Sequence, residues 1–206
     1  MIDSTAFVDK NYVNVNAHEL VHQWFGNLVT EKDGNHHWLH EGFATYYAYL
    51  AEREIFGSDH FFWKLYITAQ QLQGFSDRGE GESLLNPKAS SLTFYEKGAW
   101  ALVMLRDFVG DNSFRKGVQQ YLKTYQFKNA TVSQFLQEIA DASGADLPGF
   151  NTTWLESTVF PMTEVKAFLK KQSPSLALLF EMEGSFEALQ SDDLEYERYW
   201  EASNSI

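Results

Sequence analysis

The sequence predicts a mainly α-helical fold with little or no sheet. Apolar residues recur near the 3.6-residue period over most of the 206-residue chain. Most of these stretches stop at a glycine or a polar cluster, as helices do. Strand-type signal is confined to one short apolar run around Leu176 to Phe180. With 17 Phe, 10 Tyr and 6 Trp, the chain also has large side chains enough for a sizeable core.

The first periodic stretch runs from Val13 to Leu28, with Ala17, Leu20, Val21, Trp24 and Phe25 on its stripe. Asn14 or Asn16 is available to cap it, and Gly26-Asn27 to begin its end. The polar turn TEKDGNHH follows, then a helix over WLHEGFATYYAYLAEREIF that stops at Gly57. Ser58 or Asp59 opens a third helix, with Gly74 as its stop. Residues 75–91 are dense in Gly, Ser, Asp and Pro and break the pattern; such a segment is either a functional loop or a plain surface connection. Helical periodicity returns in LTFYEKGAWALVMLRDFVG, DNSFRKGVQQYLKTYQF and TVSQFLQEIADASG, and a short helix is expected in LPGFNTTWLEST. These elements predict a helical unit over residues 1–160 and an appendage, or the start of a following domain, over 161–206. The last thirty residues of that appendage hold eight acids and one Arg.

A net charge of −12 argues against nucleic acid and against an anionic membrane surface, both of which need clustered Lys and Arg. It weakly favours cationic ligands, including peptides with free amino groups. The absence of cysteine excludes a disulfide scaffold and any thiolate metal site, and leaves the compartment open. No apolar run approaches the length needed to span a bilayer. The opening residues lack a signal-peptide pattern and enter almost directly into the richest motif, as though upstream sequence lay outside the chain.

That motif is NAHELVHQWFGNL. His18 and His22 are four apart, so on a helix they lie nearly above one another and both imidazoles can reach one ion. Glu19 lies about 100° further round, where it can flank the ion as a general base on water without ligating it. Zinc needs a third protein ligand and an open position. Glu41 is the strongest candidate, because the eighteen residues after His22 suffice to end one helix, turn and run back. His36, His37 and His40 compete; the first two fall in the polar turn and are expected to be solvated, while His40 should face about 100° away from Glu41. Trp24, Phe25, Trp38, Phe43, Tyr46 and Tyr47 could line a pocket, although aromatics at helical spacing are more often core. The sequons at Asn129 and Asn151 are read as incidental.

HELVHQWFGN, the eighteen-residue interval and WLHEGFATY together resemble the M1 family of zinc metallopeptidases, the aminopeptidases and leukotriene A4 hydrolase within the gluzincin group. FYEKGAWALVML resembles the family's Tyr-x-Lys-Gly-Ala segment at the expected distance, and the likeness covers roughly residues 10–160. The resemblance implies the helical lobe of a thermolysin-like (gluzincin) catalytic domain. It implies one Zn2+ held by His18, His22 and Glu41, with Glu19 as general base and Tyr95 as the residue that stabilises the transition state. It implies peptide substrates cut at their N-terminal residue. Glu96 and Lys97 are expected at the surface, and Gly98 where helices pack closely. The family carries Asn where His40 stands, and a Gly-x-Met-Glu-Asn segment that nothing in residues 1–17 matches. The chain is therefore expected to be the helical half of the catalytic domain, with the missing N-terminal lobe packing against it. A gluzincin endopeptidase and a non-catalytic zinc-binding module are the alternatives.

Overall fold

A computed structural model of the chain describes residues 12–185. It is mainly helical, and the chain divides into two compact units, Met1–Met162 and Thr163–Ile206.

In the first unit α1 (Val13–Val21) ends well short of Leu28. Past His22 the backbone bonds reach five residues back, from Asn27 to His22, Leu28 to Gln23 and Val29 to Trp24. Gly26, at φ +144, then turns the chain. The apolar stripe continues past the helix because Phe25 and Val29 fold into the core as a bridged pair. Tyr12, not an asparagine, occupies the N-cap; the Asn14 amide is turned to Glu52 instead, at 3.1 Å.

The next helix, α2 (Trp38–Phe56), ends at Gly57 as predicted, with φ +91 at that residue. It is buried on most of its circumference, with α1, α3 (Ser58–Asp77) and α4 (Gly98–Val109) packed around it. Asn14 meets Glu52 while His18 meets Glu41, so α1 and α2 run antiparallel. Helix α3 passes through Gly74 and stops only before Gly79, at φ +72. A lone glycine inside a helix costs about 1 kcal/mol against Ala, which is too little to break one held by tertiary packing.

Residues 79–90 form neither helix nor a loose connection. Leu84 is fully buried and its N–H donates to the Leu155 carbonyl. The Glu82 carboxylate accepts from the Ser90 N–H, the Ser90 hydroxyl and the Thr93 hydroxyl. The expected surface position of Lys97 is overturned: it is 3% exposed and its Nζ donates to the carbonyls of Glu82 and Ser157, both at 2.6 Å. Glu96 is likewise drawn inward and accepts from the Tyr49 hydroxyl. Both residues lie on a π-helical turn (Leu92–Lys97), whose wider ladder faces them differently from the α-helix the period predicts.

Helices α5 (Asp111–Tyr125) and α6 (Val132–Ser143) pack as a pair, α6 opening on a Thr131–Gln134 capping box. Between them β2 (Lys128–Ala130) runs parallel to β1 (Val29–Glu31), Val29 facing Lys128 and Glu31 facing Ala130. Phe135 on α6 sits at the centre of an aromatic core, meeting Phe43 at 5.2 Å, Tyr121 at 5.4 Å and Trp38 at 6.3 Å between ring centroids. A helical turn, α7 (Pro148–Phe150), leads into a second π-turn (Asn151–Glu156).

In the second unit α8 (Met162–Gln172) and helical residues 174–185 pair as a hairpin, joined by Lys166–Glu183 at 3.6 Å and Lys170–Glu181 at 3.7 Å. The strand expected around Leu176 to Phe180 is therefore helix. A five-residue apolar run carries no period of its own, and the Ser173 hydroxyl caps the turn by accepting from the Leu176 N–H. Most of the acidic stretch at the C-terminus lies outside the described residues.

Candidate metal centre

The last turn of α1 presents His18 and His22 toward the first turn of α2, where Glu41 stands. Glu41 Oε2 lies 3.2 Å from His18 Nε2 and 3.5 Å from His22 Nε2. The three ligating atoms all lie within 4.8 Å of one another. A tetrahedral zinc with bonds of about 2.0–2.1 Å sets its ligand atoms about 3.3 Å apart, so the spacing suits that ion. Two imidazole nitrogens and one carboxylate oxygen are also a donor set zinc favours, with room for a fourth ligand.

The surroundings prepare these groups for a cation. His22 Nδ1 lies 3.0 Å from the Phe25 carbonyl, which can only accept; the proton therefore sits on Nδ1 and leaves Nε2 bare. That carbonyl is in place because α1 ends early and the chain turns back at Gly26. Burial opposes ionisation of Glu41, but hydrogen bonds from His18 and Tyr95, with His22 close by, outweigh it and hold the carboxyl below its usual range. The site thus keeps an anion ready at neutral pH.

Tyr95 joins the site from the π-turn. Its ring stacks on His18, centroids 5.4 Å apart and planes 2° from parallel, and its hydroxyl lies near enough to Glu41 for each to shift the other's ionisation. Burial, then the charge of Glu41 and more weakly that of Glu19, push the phenol up, so it stays protonated as a donor. Glu19 lies on the exposed side of α1, beside the triad and close enough for its charge to reach Tyr95. All five residues singled out in the sequence are thus brought to one place.

The other histidines divide. His36 is less solvated than its polar turn suggests: its Nδ1 accepts from the Val132 N–H at 3.3 Å. His37 and His40 both converge on Glu31, at 3.1 Å and 3.3 Å. Sequence reasoning did not find Glu31. It reaches the site because β1 pairs with β2 far along the chain, a contact with no local signature. Of the aromatics, Phe25, Trp38, Phe43 and Tyr46 are core, while Trp24 faces solvent.

The Peptidase family M1 domain matches residues 1–154. The leucyl aminopeptidase of Saccharolobus solfataricus is 33% identical over 182 residues, 83% of this chain but 23% of that protein. The chain thus spans about a quarter of that relative's length. Yeast LTA4 hydrolase in complex with bestatin superposes with a TM-score of 0.62 at 27% identity, over 74% of this chain and 27% of that one. An M1 zinc metallopeptidase variant from Deinococcus radiodurans, bound to a Tyr-Ser-Ala substrate, gives 0.56 at 28% identity over 72% of this chain and 34% of that one. No helix among the described residues is long and apolar enough to cross a membrane. With the zinc-type triad, the helical frame and these relatives in agreement, this chain belongs to peptidase family M1.

Proposed function

We propose that this chain carries the metal-binding helical part of a zinc aminopeptidase, with one Zn2+ held by His18, His22 and Glu41. The observation that carries this reading is the convergence of the His18 and His22 Nε2 atoms on Glu41 Oε2. Zinc bound there would supply Lewis acidity toward a peptide carbonyl and bring the pKa of water down to about 7. Glu19 would serve as the base, taking a proton from the attacking water and passing it to the leaving amine. Tyr95, kept protonated, donates its phenolic hydrogen bond to the oxygen that gains charge. His22 is held in the ligating tautomer by the Phe25 carbonyl.

Several relatives are named aminopeptidases, and the Deinococcus enzyme was captured with a tripeptide. These names support peptides with a free amino end as the substrate. The acidic surface would draw that end in. In this reading residues 1–160 are the helical part of the catalytic domain and 161–206 an appendage. A further lobe of the parent enzyme packs on the outward side of α1, where Val15, Leu20 and, just beyond the helix, Trp24 stay exposed.

Metal content of the purified chain tests the ligands. Stoichiometric zinc is expected, falling sharply in His22→Ala and in Glu41→Ala; full occupancy in both variants would refute the assignment. Hydrolysis of amino-acid anilides by this chain is expected to be feeble, because half of the cleft belongs to the other lobe. Glu19→Gln should remove that residual turnover while zinc stays bound.

A further inference from the structure

His37 and His40 invite a question that counting hydrogens answers. The Glu31 N–H donates to His40 Nε2 at 2.8 Å, so in the neutral ring the proton sits on Nδ1. That Nδ1 faces Glu31 Oε2 at 3.3 Å as a donor. Burial favours this neutral form. Both nitrogens of His40 are thus committed, and it has no lone pair left for a cation. The cluster of Glu31, His37 and His40 is therefore a hydrogen-bonded fan rather than a three-ligand metal site, close as its atoms are.

His37 is different. Its Nδ1 lies 3.1 Å from both oxygens of the Glu31 carboxylate, so Nδ1–H donates there. A carboxylate on one imidazole nitrogen is the usual arrangement that bares the other nitrogen for a metal. The other nitrogen, Nε2, faces Glu41 Oε1 at 3.9 Å. It is the other oxygen of Glu41, Oε2, that faces His18 and His22. At 3.9 Å, His37 Nε2 and Glu41 Oε1 face each other beyond hydrogen-bond distance. The Phe94 ring stands edge-on to His37 at 4.9 Å and steadies it, and the His37 side chain remains 38% exposed, open to ions from solvent.

We infer that His37 Nε2 and Glu41 Oε1 form a second, weaker site for a borderline divalent cation such as zinc, with Glu41 bridging it to the first site. The inference rests on the proposed zinc triad through that shared carboxylate. Bonds of about 2.0–2.2 Å let one ion span the pair, water completing its shell. Two protein ligands instead of three make it the weaker site. An imidazole nitrogen selects zinc or copper over magnesium and calcium.

The test is calorimetric titration of the metal-free full chain with zinc. Wild type should show a tight event and a separate weaker one. His37→Leu should lose the weaker event and keep the tight one. Glu31→Gln, which frees the Nδ1 side of His37 without touching Nε2, should weaken the second event by about ten-fold or more, as loss of such a support typically does. A single event in wild type, or a weaker event that survives both substitutions unchanged, would overturn the second site and leave the triad standing. A tight event that survives His22→Ala would instead refute the triad. Excess magnesium should displace neither ion; displacement of the weaker one would mark an all-oxygen site and overturn the role given to His37.

Discussion

Tyr95 shows how one side chain acquires a role from its surroundings. Alone it is an aromatic near a helix start. Stacked on His18 and close to Glu41, it is a phenol held beside the proposed metal ligands, with its proton secured by burial and by the nearby anion. Loss of the hydroxyl in Tyr95→Phe should lower kcat about 100- to 1,000-fold, the usual effect of removing one oxyanion donor. KM and zinc content should change little, because the ring and the three ligands remain. Measured together on the same preparation, an equal fall in zinc content would move Tyr95 from catalysis to metal retention. The pairing of His18 with His22 was legible in the sequence for a definite reason: the helix period alone fixes one over the other. The Phe25 carbonyl behind His22 was not legible, since it depends on where α1 stops.

Elements position these side chains through a few close contacts. Helices α2 and α4 cross at Gly42 and Gly98, next to Glu41 and three residues past Tyr95. A Cβ on Gly98 would stand 2.9 Å from Gly42 Cα, so the crossing admits no side chain. Gly98→Ala should cost about 1–3 kcal/mol by overpacking, read as a lower urea midpoint, and should part the Tyr95 hydroxyl from Glu41. The segment 79–90 has its own fastening in Glu82. Burial pulls that carboxyl up, but hydrogen bonds from Ser90 and Thr93 and the charge of Lys97 hold it below its ordinary value of 4.5. A lowered folded-state value gives stability that is present above pH 4.5 and lost as pH falls through the folded-state value. Hydrogen-exchange protection of the Ser90 amide should drop across that acid window in wild type, and be low and flat in Glu82→Gln. Helices α2 and α6 could be read in advance because their glycine stops and the Thr131 cap are local chemistry. The inward Lys97 and the helical 176–180 could not: a π-turn and a five-residue apolar run leave the local pattern ambiguous, and tertiary packing decides.

At the scale of the whole molecule, the proposed ion ties together helices that the chain delivers from either side of a turn. In the unfolded chain His18 and His22 are no longer poised against Glu41, so zinc binds the folded state by preference. Preferential binding stabilises by RT ln(1 + [Zn]/Kd), about 2.7 kcal/mol when free zinc stands at a hundred times Kd. For a domain of this size each kcal/mol moves Tm by about 2–4 °C, which gives a rise of about 5–10 °C on adding zinc to the metal-free chain. A chelator should reverse it. Acidification should erode it too, because both imidazoles must be unprotonated to ligate. His22→Ala should melt at the same temperature with and without zinc. Thermal scans at fixed protein concentration decide the matter, and a zinc-dependent rise that persisted in that variant would place the stabilising ion somewhere other than the triad.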